Sequence, residues 1–377
     1  MSMNWKRRGL LKGAGAMFGA GLIPYGESSF PSERRYTVYP SQQMIHPSLN
    51  ENPYGPSPNV GEAIRAEFAR LYRYVDKQAA QQLAEQIAHY EQVPVEQVIL
   101  GNILDALGLY LGAEGGPGGE FIYSSPGYLA LIDAAARVGG VGVPVPLNSR
   151  YQNDLPALLA KVNGKTRAMY LINPHLPTGT LSGDAEFKRF LVEAAQHTLP
   201  IVDEAYLEYT VDFTSRSAVS LVRRGANVMV FRTFDKIHGL AGLPMGYVLA
   251  PVPIAEALRH QGIGDAMSLE RLNVAAASAA LRDPGQIEKT RKAVDRERAA
   301  WFSLLQELKL EYTEAAGNFV FFHTGMPHAN FAAAMLAQGV DIGRAFQPYN
   351  EWARITIGLP PENRQAQAAV RNVLETV

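Results

Sequence analysis

The sequence predicts an α/β fold, a mostly parallel sheet wrapped by helices, followed by a smaller α+β domain. Apolar runs of strand length alternate with longer segments whose apolar residues recur at three- and four-residue spacing. Several runs are apolar without alternation, as strands covered on both faces require. From about Leu272 the pattern changes to a long charged helix and two short, separated strands.

Taken in order, Val98 to Gly101, Phe121 to Ser124, Ala168 to Ile172, Pro200 to Val202, Val228 to Phe231 and Tyr247 to Ala250 are the predicted strands of the first unit. Ala79 to Tyr90, Leu129 to Arg137, Ala185 to Gln196 and Ile254 to His260 are its predicted helices, each with one apolar stripe. In the second unit the long helix runs through Ile287 to Leu310, with strands at Asn318 to His323 and Arg354 to Ile357 and a helix after each. The expected divisions are 27–75 for an N-terminal arm with part of the small domain, 76–270 for the large domain, and 271–377 for the small C-terminal domain.

Residues 1–26 read as an address before they read as structure. Lys6-Arg7-Arg8-Gly9-Leu10-Leu11-Lys12 precedes a weakly apolar stretch from Gly13 to Ile23, which resembles a twin-arginine export signal and predicts a periplasmic protein. A cytoplasmic protein with a basic tail is the alternative. The apolar part is too short to span a bilayer, so no stable membrane anchor is expected. With 47% hydrophobic and 19% charged residues and a formal net charge of -1, neither disorder nor nucleic-acid binding is expected. The absence of cysteine excludes disulfides, thiolate nucleophiles and cysteine-ligated metals, and no metal site is expected.

Two charged motifs stand just beyond the carboxyl ends of strands, where open parallel sheets place ligands. Asp203-Glu204-Ala205-Tyr206 follows Ile201-Val202, and Thr233-Phe234-Asp235-Lys236 follows the next strand. Lysine is the side chain that can hold an aldehyde cofactor as a Schiff base, which makes Lys236 the candidate anchor. An electron-sink pyridine needs a carboxylate fixed against its ring nitrogen, a task that suits Asp203. Tyr206 can reach the ring's phenolate oxygen, and Tyr128, in Ser125-Pro126-Gly127-Tyr128, can stack on the ring face. Taken singly, these residues also read as a helix cap, a solvated loop charge and rim packing. Only their order and context carry the chemistry.

Together with Leu49-Asn50-Glu51-Asn52-Pro53-Tyr54-Gly55-Pro56-Ser57-Pro58, Lys236-Ile237-His238-Gly239-Leu240-Ala241-Gly242-Leu243 and Arg354-Ile355-Thr356-Ile357-Gly358, these motifs carry a resemblance. The chain resembles fold-type-I aminotransferases of class I/II, in the histidinol-phosphate aminotransferase branch. The resemblance implies pyridoxal 5'-phosphate bound to Lys236, with Asp203, Tyr206 and Tyr128 around its ring. It implies transfer of an amino group between an amino acid or amine and a 2-oxo acid, Lys236 also moving the α-proton. Arg354 and Asn52 are then substrate-binding residues, the arginine gripping an α-carboxylate through two parallel N–H groups. A homodimer with shared active sites is also implied, Tyr74 reaching across to the neighbour's cofactor phosphate. On the chain's own side the phosphate anchors are Thr233 and the N–H groups of the Gly101–Asp105 turn, Ile103 and Leu104 among them.

Three positions depart from the family pattern. Leu176, in Asn173-Pro174-His175-Leu176-Pro177-Thr178-Gly179, replaces an asparagine that touches the phenolate oxygen, and His175 is the neighbour able to swing in. Asp235 replaces a serine and Pro244 an arginine, both serving the phosphate; Arg232 and His238 are the nearby cations able to take over. Elimination or oxidation chemistry, and a non-catalytic binding module, therefore stay open beside transamination. Joint retention of Lys236, Asp203, Tyr206 and Arg354 speaks against the binding module. An export signal speaks against histidine biosynthesis and for modification of an exported metabolite.

Overall fold

A computed structural model describes residues 44–114 and 118–375, so the export-signal motif lies outside the described residues. Seven strands form the main sheet: β1 (Val98–Gly101), β2 (Glu120–Ser125), β3 (Val141–Pro146), β4 (Thr166–Ile172), β5 (Leu199–Asp203), β6 (Met229–Thr233) and β7 (Gly246–Leu249). Their order is β1-β7-β6-β5-β4-β2-β3. β7 is antiparallel to both neighbours and the remaining pairs are parallel. All six predicted strands are in this sheet. The seventh, β3, reads Val-Gly-Val-Pro-Val-Pro; its glycine and prolines hide it from the pattern and are tolerated because it is an edge strand.

Alternate residues of the central strands feed two separate cores. Tyr170, Ile201, Met229 and Phe231 pack with Leu104, Leu131 and Leu258 on one face. Met169, Leu171, Val202 and Val230 pack with Leu83, Ile87, Phe187 and Leu191 on the other. Helices thus cover both faces, which is why these strands are apolar without alternation.

The long charged helix spans Pro284–Glu307, starting and ending three residues earlier than the expected Ile287 to Leu310, with a separate helix Arg271–Leu281 before it. Asp283 parts them: its carboxylate accepts the Gln286 N–H at 3.3 Å, and Pro284 starts the second helix where a missing N–H costs nothing. β8 (Phe319–His323) and β9 (Trp352–Thr356) pair antiparallel in a second sheet, with helices His328–Ala337 and Pro360–Glu375 after them. The N-terminal segment is stitched to this unit. Ile45 N–H donates to the Gly339 carbonyl at 3.0 Å and Thr356 N–H to the Pro47 carbonyl at 2.9 Å. Among the described residues no helix is long and apolar enough to cross a membrane.

Candidate active site

The parallel strands deliver the chain to one edge of the sheet, where antiparallel β7 begins. A cavity of about 520 Å³ opens there, within the range of small-molecule sites. Leu104, Tyr128, Asp203, Tyr206, Thr233 and Lys236 line it, each from the end of a strand or the turn after it. Ser48, Leu49, Arg344, Phe346 and Arg354 form the opposite wall. Ile103 is buried beside Leu104 at the start of helix Leu104–Ala113, whose first turn has no side-chain cap and so keeps N–H groups available. Asn52 does not line the cavity; its Nδ2 donates to the Ile237 carbonyl at 2.8 Å and its Oδ1 accepts the Tyr54 N–H at 3.1 Å. Tyr74 lies outside it too, 77% exposed.

Asp203 ends β5, buried on the face it shares with Ile201, in register with Ile172 of β4. The Tyr170 hydroxyl donates to its Oδ2 at 2.6 Å and the Ala205 N–H to its Oδ1 at 3.0 Å. Burial pushes this carboxyl up, to about 6, against the pull of those two bonds and of Lys236. Sequence reasoning passed over Tyr170, since a tyrosine within an apolar strand reads as core. The signal was its parity with Ile172, which puts it on the cavity face.

Asn50 was a second omission. Its Nδ2 donates to the Tyr206 hydroxyl at 3.1 Å, while Thr356 Oγ1 accepts its N–H at 2.9 Å and Asn318 Nδ2 donates to its carbonyl at 3.0 Å. Asn50 has a φ of 54°, a left-handed conformation that asparagine tolerates better than most side chains. The Tyr206 ring meets Phe319 edge-on, with centroids 5.2 Å apart. Lys236 Nζ lies 6.0 Å from the centre of that tyrosine ring and donates to the Leu49 carbonyl at 3.4 Å.

Arg354, on β9, is buried between the rings of Phe346 at 5.1 Å and Phe319 at 5.9 Å. Its Nη2 donates to the Ser48 carbonyl, and its Nε has no partner. Among the described residues no carboxylate pairs with it, and burial lowers its pKa. Arg344 lies over the same Phe346 ring at 4.8 Å.

The suggested substitutes at the departures do not reach the cavity. β6 alternates, so Phe231 and Thr233 line the cavity while Arg232 points to the other face. There it is buried against Glu204 at 3.0 Å, Glu91 at 3.4 Å and Glu208 at 3.8 Å. His238 Nε2 lies 3.7 Å from that same Glu208. His175 is fully buried with its Nδ1 3.2 Å from Thr178 Oγ1, and desolvation holds its pKa down at about 3. Leu176, not His175, lines the cavity.

The residues present fit a pyridoxal ring. Gly246, also on the cavity, lets β7 close against β6: a Cβ there would meet the Arg232 carbonyl oxygen at 2.6 Å and the Phe231 ring at 3.2 Å. Asp203 offers a buried carboxylate, Tyr206 a hydroxyl and Lys236 an amine, all on one cavity.

Comparison with known proteins agrees. The family profile "Aminotransferase class I and II" matches residues 43–370. A histidinol-phosphate aminotransferase of Symbiobacterium thermophilum is 33% identical over 345 residues, 88% of this chain and 91% of the relative. An aromatic amino acid aminotransferase of Thermobifida fusca is 35% identical over 333 residues, 87% of this chain and 90% of the relative. The crystal structure of histidinol-phosphate aminotransferase from Sinorhizobium meliloti in complex with pyridoxal-5'-phosphate superposes with a TM-score of 0.78 at 27% identity, covering 89% of this chain and 92% of that one. A central sheet of this order, a lysine and a carboxylate on one cavity, and a match over nearly all described residues lead to one conclusion: the chain belongs to the class I and II aminotransferases and is a pyridoxal-phosphate-dependent transaminase.

Proposed function

We propose that this transaminase moves an amino group between an amino acid, or another amine, and a 2-oxo acid, with Arg354 gripping the substrate carboxylate beside Lys236. The observation that carries this reading is a buried guanidinium with, among the described residues, an unbonded Nε and no carboxylate partner, opening on the cavity of Lys236 and Asp203. A buried cation without a counter-ion is unfavourable, and a substrate carboxylate supplies one. The bound cofactor provides the electron sink that makes the α-proton of an amino acid labile. Lys236 Nζ would carry that proton, Asp203 would pair with the ring nitrogen, and Tyr206, whose hydroxyl accepts from Asn50 Nδ2, would meet the ring oxygen. Leu49, Leu176 and Phe346, with Arg344 at the rim, suit a substrate with an apolar or aromatic side chain. The aromatic amino acid and histidinol-phosphate specificities named for the relatives support that class.

Arg354→Ala is expected to weaken apparent affinity for both substrates by about tenfold to a hundredfold, the equivalent of losing one charged hydrogen-bonding contact. The cofactor absorbance should persist. Unaltered apparent affinity for every accepted amino acid excludes the role.

The protein is further proposed to act as a homodimer in the periplasm. Support for the dimer is the exposed apolar group Phe68, Leu71, Tyr72 and Tyr74. Support for the compartment is the Arg7-Arg8 motif alone.

A further inference from the structure

We propose that this chain meets the cofactor phosphate with neutral donors and sets two carboxylates, Asp235 and Asp105, against it, so that the phosphate contributes little to cofactor affinity. The inference rests on the cofactor reading of the cavity. The donors at this end are the uncapped first-turn N–H groups of helix Leu104–Ala113 and the Thr233 hydroxyl. That hydroxyl is already engaged, accepting the Asp235 N–H at 3.0 Å and donating to the Met245 carbonyl at 3.3 Å.

Asp235 and Asp105 both line the cavity. Asp235 makes no ion pair among the described residues; burial raises its pKa, against the pull of the Thr233 hydroxyl, of Lys236 and of a long bond from the Met245 N–H at 3.4 Å. Asp105 faces Arg137 at 4.0 Å, both side chains more than half exposed, a pair too wet and too long to neutralise it. The two carboxylates, with Asp203, also raise the pKa of the Tyr128 hydroxyl beyond the effect of burial, which groups all three around one ring.

Among the described residues no buried cation on this side offsets them, Arg137 being exposed. Of the cations lining the cavity, Arg344 and Arg354 lie against Phe346 on the opposite wall, and Lys236 is committed to the cofactor aldehyde. Arg232 and His238 are on the other face of the sheet among glutamates. Pro244 has no N–H, and its carbonyl is held by Asn273 Nδ2 at 3.0 Å. A phosphate carrying about 1.5 to 2 negative charges therefore enters a cradle that repels it.

The test is titration of cofactor-free protein with pyridoxal 5'-phosphate and, separately, with pyridoxal, which lacks the phosphate. Binding is read from the absorbance of the lysine adduct and by equilibrium dialysis. For the parent chain the two affinities are expected to lie within about tenfold of each other. Asp235→Ser should tighten the phosphorylated form by about tenfold and leave pyridoxal unchanged, since one unit of like charge has gone. The near-isosteric Asp235→Asn should behave in the same way if the serine variant folds poorly. A parent that prefers the phosphorylated form by about a thousandfold or more, with neither variant altering that ratio, overturns the proposal. Failure of both compounds to form an adduct overturns the cofactor reading and this inference with it.

Discussion

Burial and Tyr170 act on Asp203 in opposite directions. The carboxyl rises from an ordinary 3.8 to about 6 on folding, so its contribution to stability is complete below pH 3.8 and is lost as pH climbs from there through 6. A rise of two units is worth about 3 kcal/mol, lost by neutral pH in the cofactor-free protein. Tyr170 opposes that rise by donating to the charged form. Tyr170→Phe should move the titration up by a further one to two units or so, as expected for one hydrogen bond to a charged group. The check is the denaturation midpoint of cofactor-free parent and variant across pH 4 to 8: the gap between them should widen above about 6. A constant gap means that Tyr170 is only packing. At this scale the sequence showed the charged residues Asp203 and Lys236 at and just beyond strand ends, and Arg354 within β9. It did not show Asn50 and Tyr170, which act through other side chains and resemble a loop polar residue and a core aromatic.

The turn that carries Lys236 is the element on which the site depends. Gly239 N–H donates to the Lys236 carbonyl at 3.0 Å, and Gly239 sits at a φ of 70° against the backbone of Gly55 and Pro56. A Cβ there would lie 2.5 Å from the Gly55 carbonyl carbon, so alanine meets both a left-handed backbone and a rigid neighbour. Gly239→Ala should cost about 2 to 5 kcal/mol in denaturant unfolding, combining about 1 to 2 for the backbone with about 1 to 3 for overpacking. Alanine at Gly242, where a Cβ meets nothing within 4 Å, is the control. Elements were legible where one physical rule governed them, as in the doubly covered strands. They were illegible where two rules competed, as in β3, where edge position tolerates prolines that argue against a strand. The Asp283-Pro284 junction was misread because charge runs through it while the backbone breaks.

For the molecule as a whole, dimerisation and export are independent. Sedimentation at micromolar concentration should give twice the 41.2 kDa chain mass, and Tyr74→Ala, within the exposed apolar group, should shift it toward the monomer. A monomer with full activity removes the shared-site reading. Replacing Arg7 and Arg8 with lysine should hold the protein in the cytoplasm, and unchanged fractionation removes the export reading. The resemblance covered almost the whole chain, so the two-sheet architecture was legible early; the reversed charge at the phosphate end was legible only as single-residue departures. Successive carbonyls of the N-terminal segment, Ser48 and Leu49, hold Arg354 and Lys236 respectively. The two cations on which the proposed chemistry depends are therefore tethered to neighbouring links of one strap. Whatever ligand claims Lys236 or Arg354 must therefore displace a backbone carbonyl of that strap, so the cost of filling the cavity includes two broken main-chain contacts.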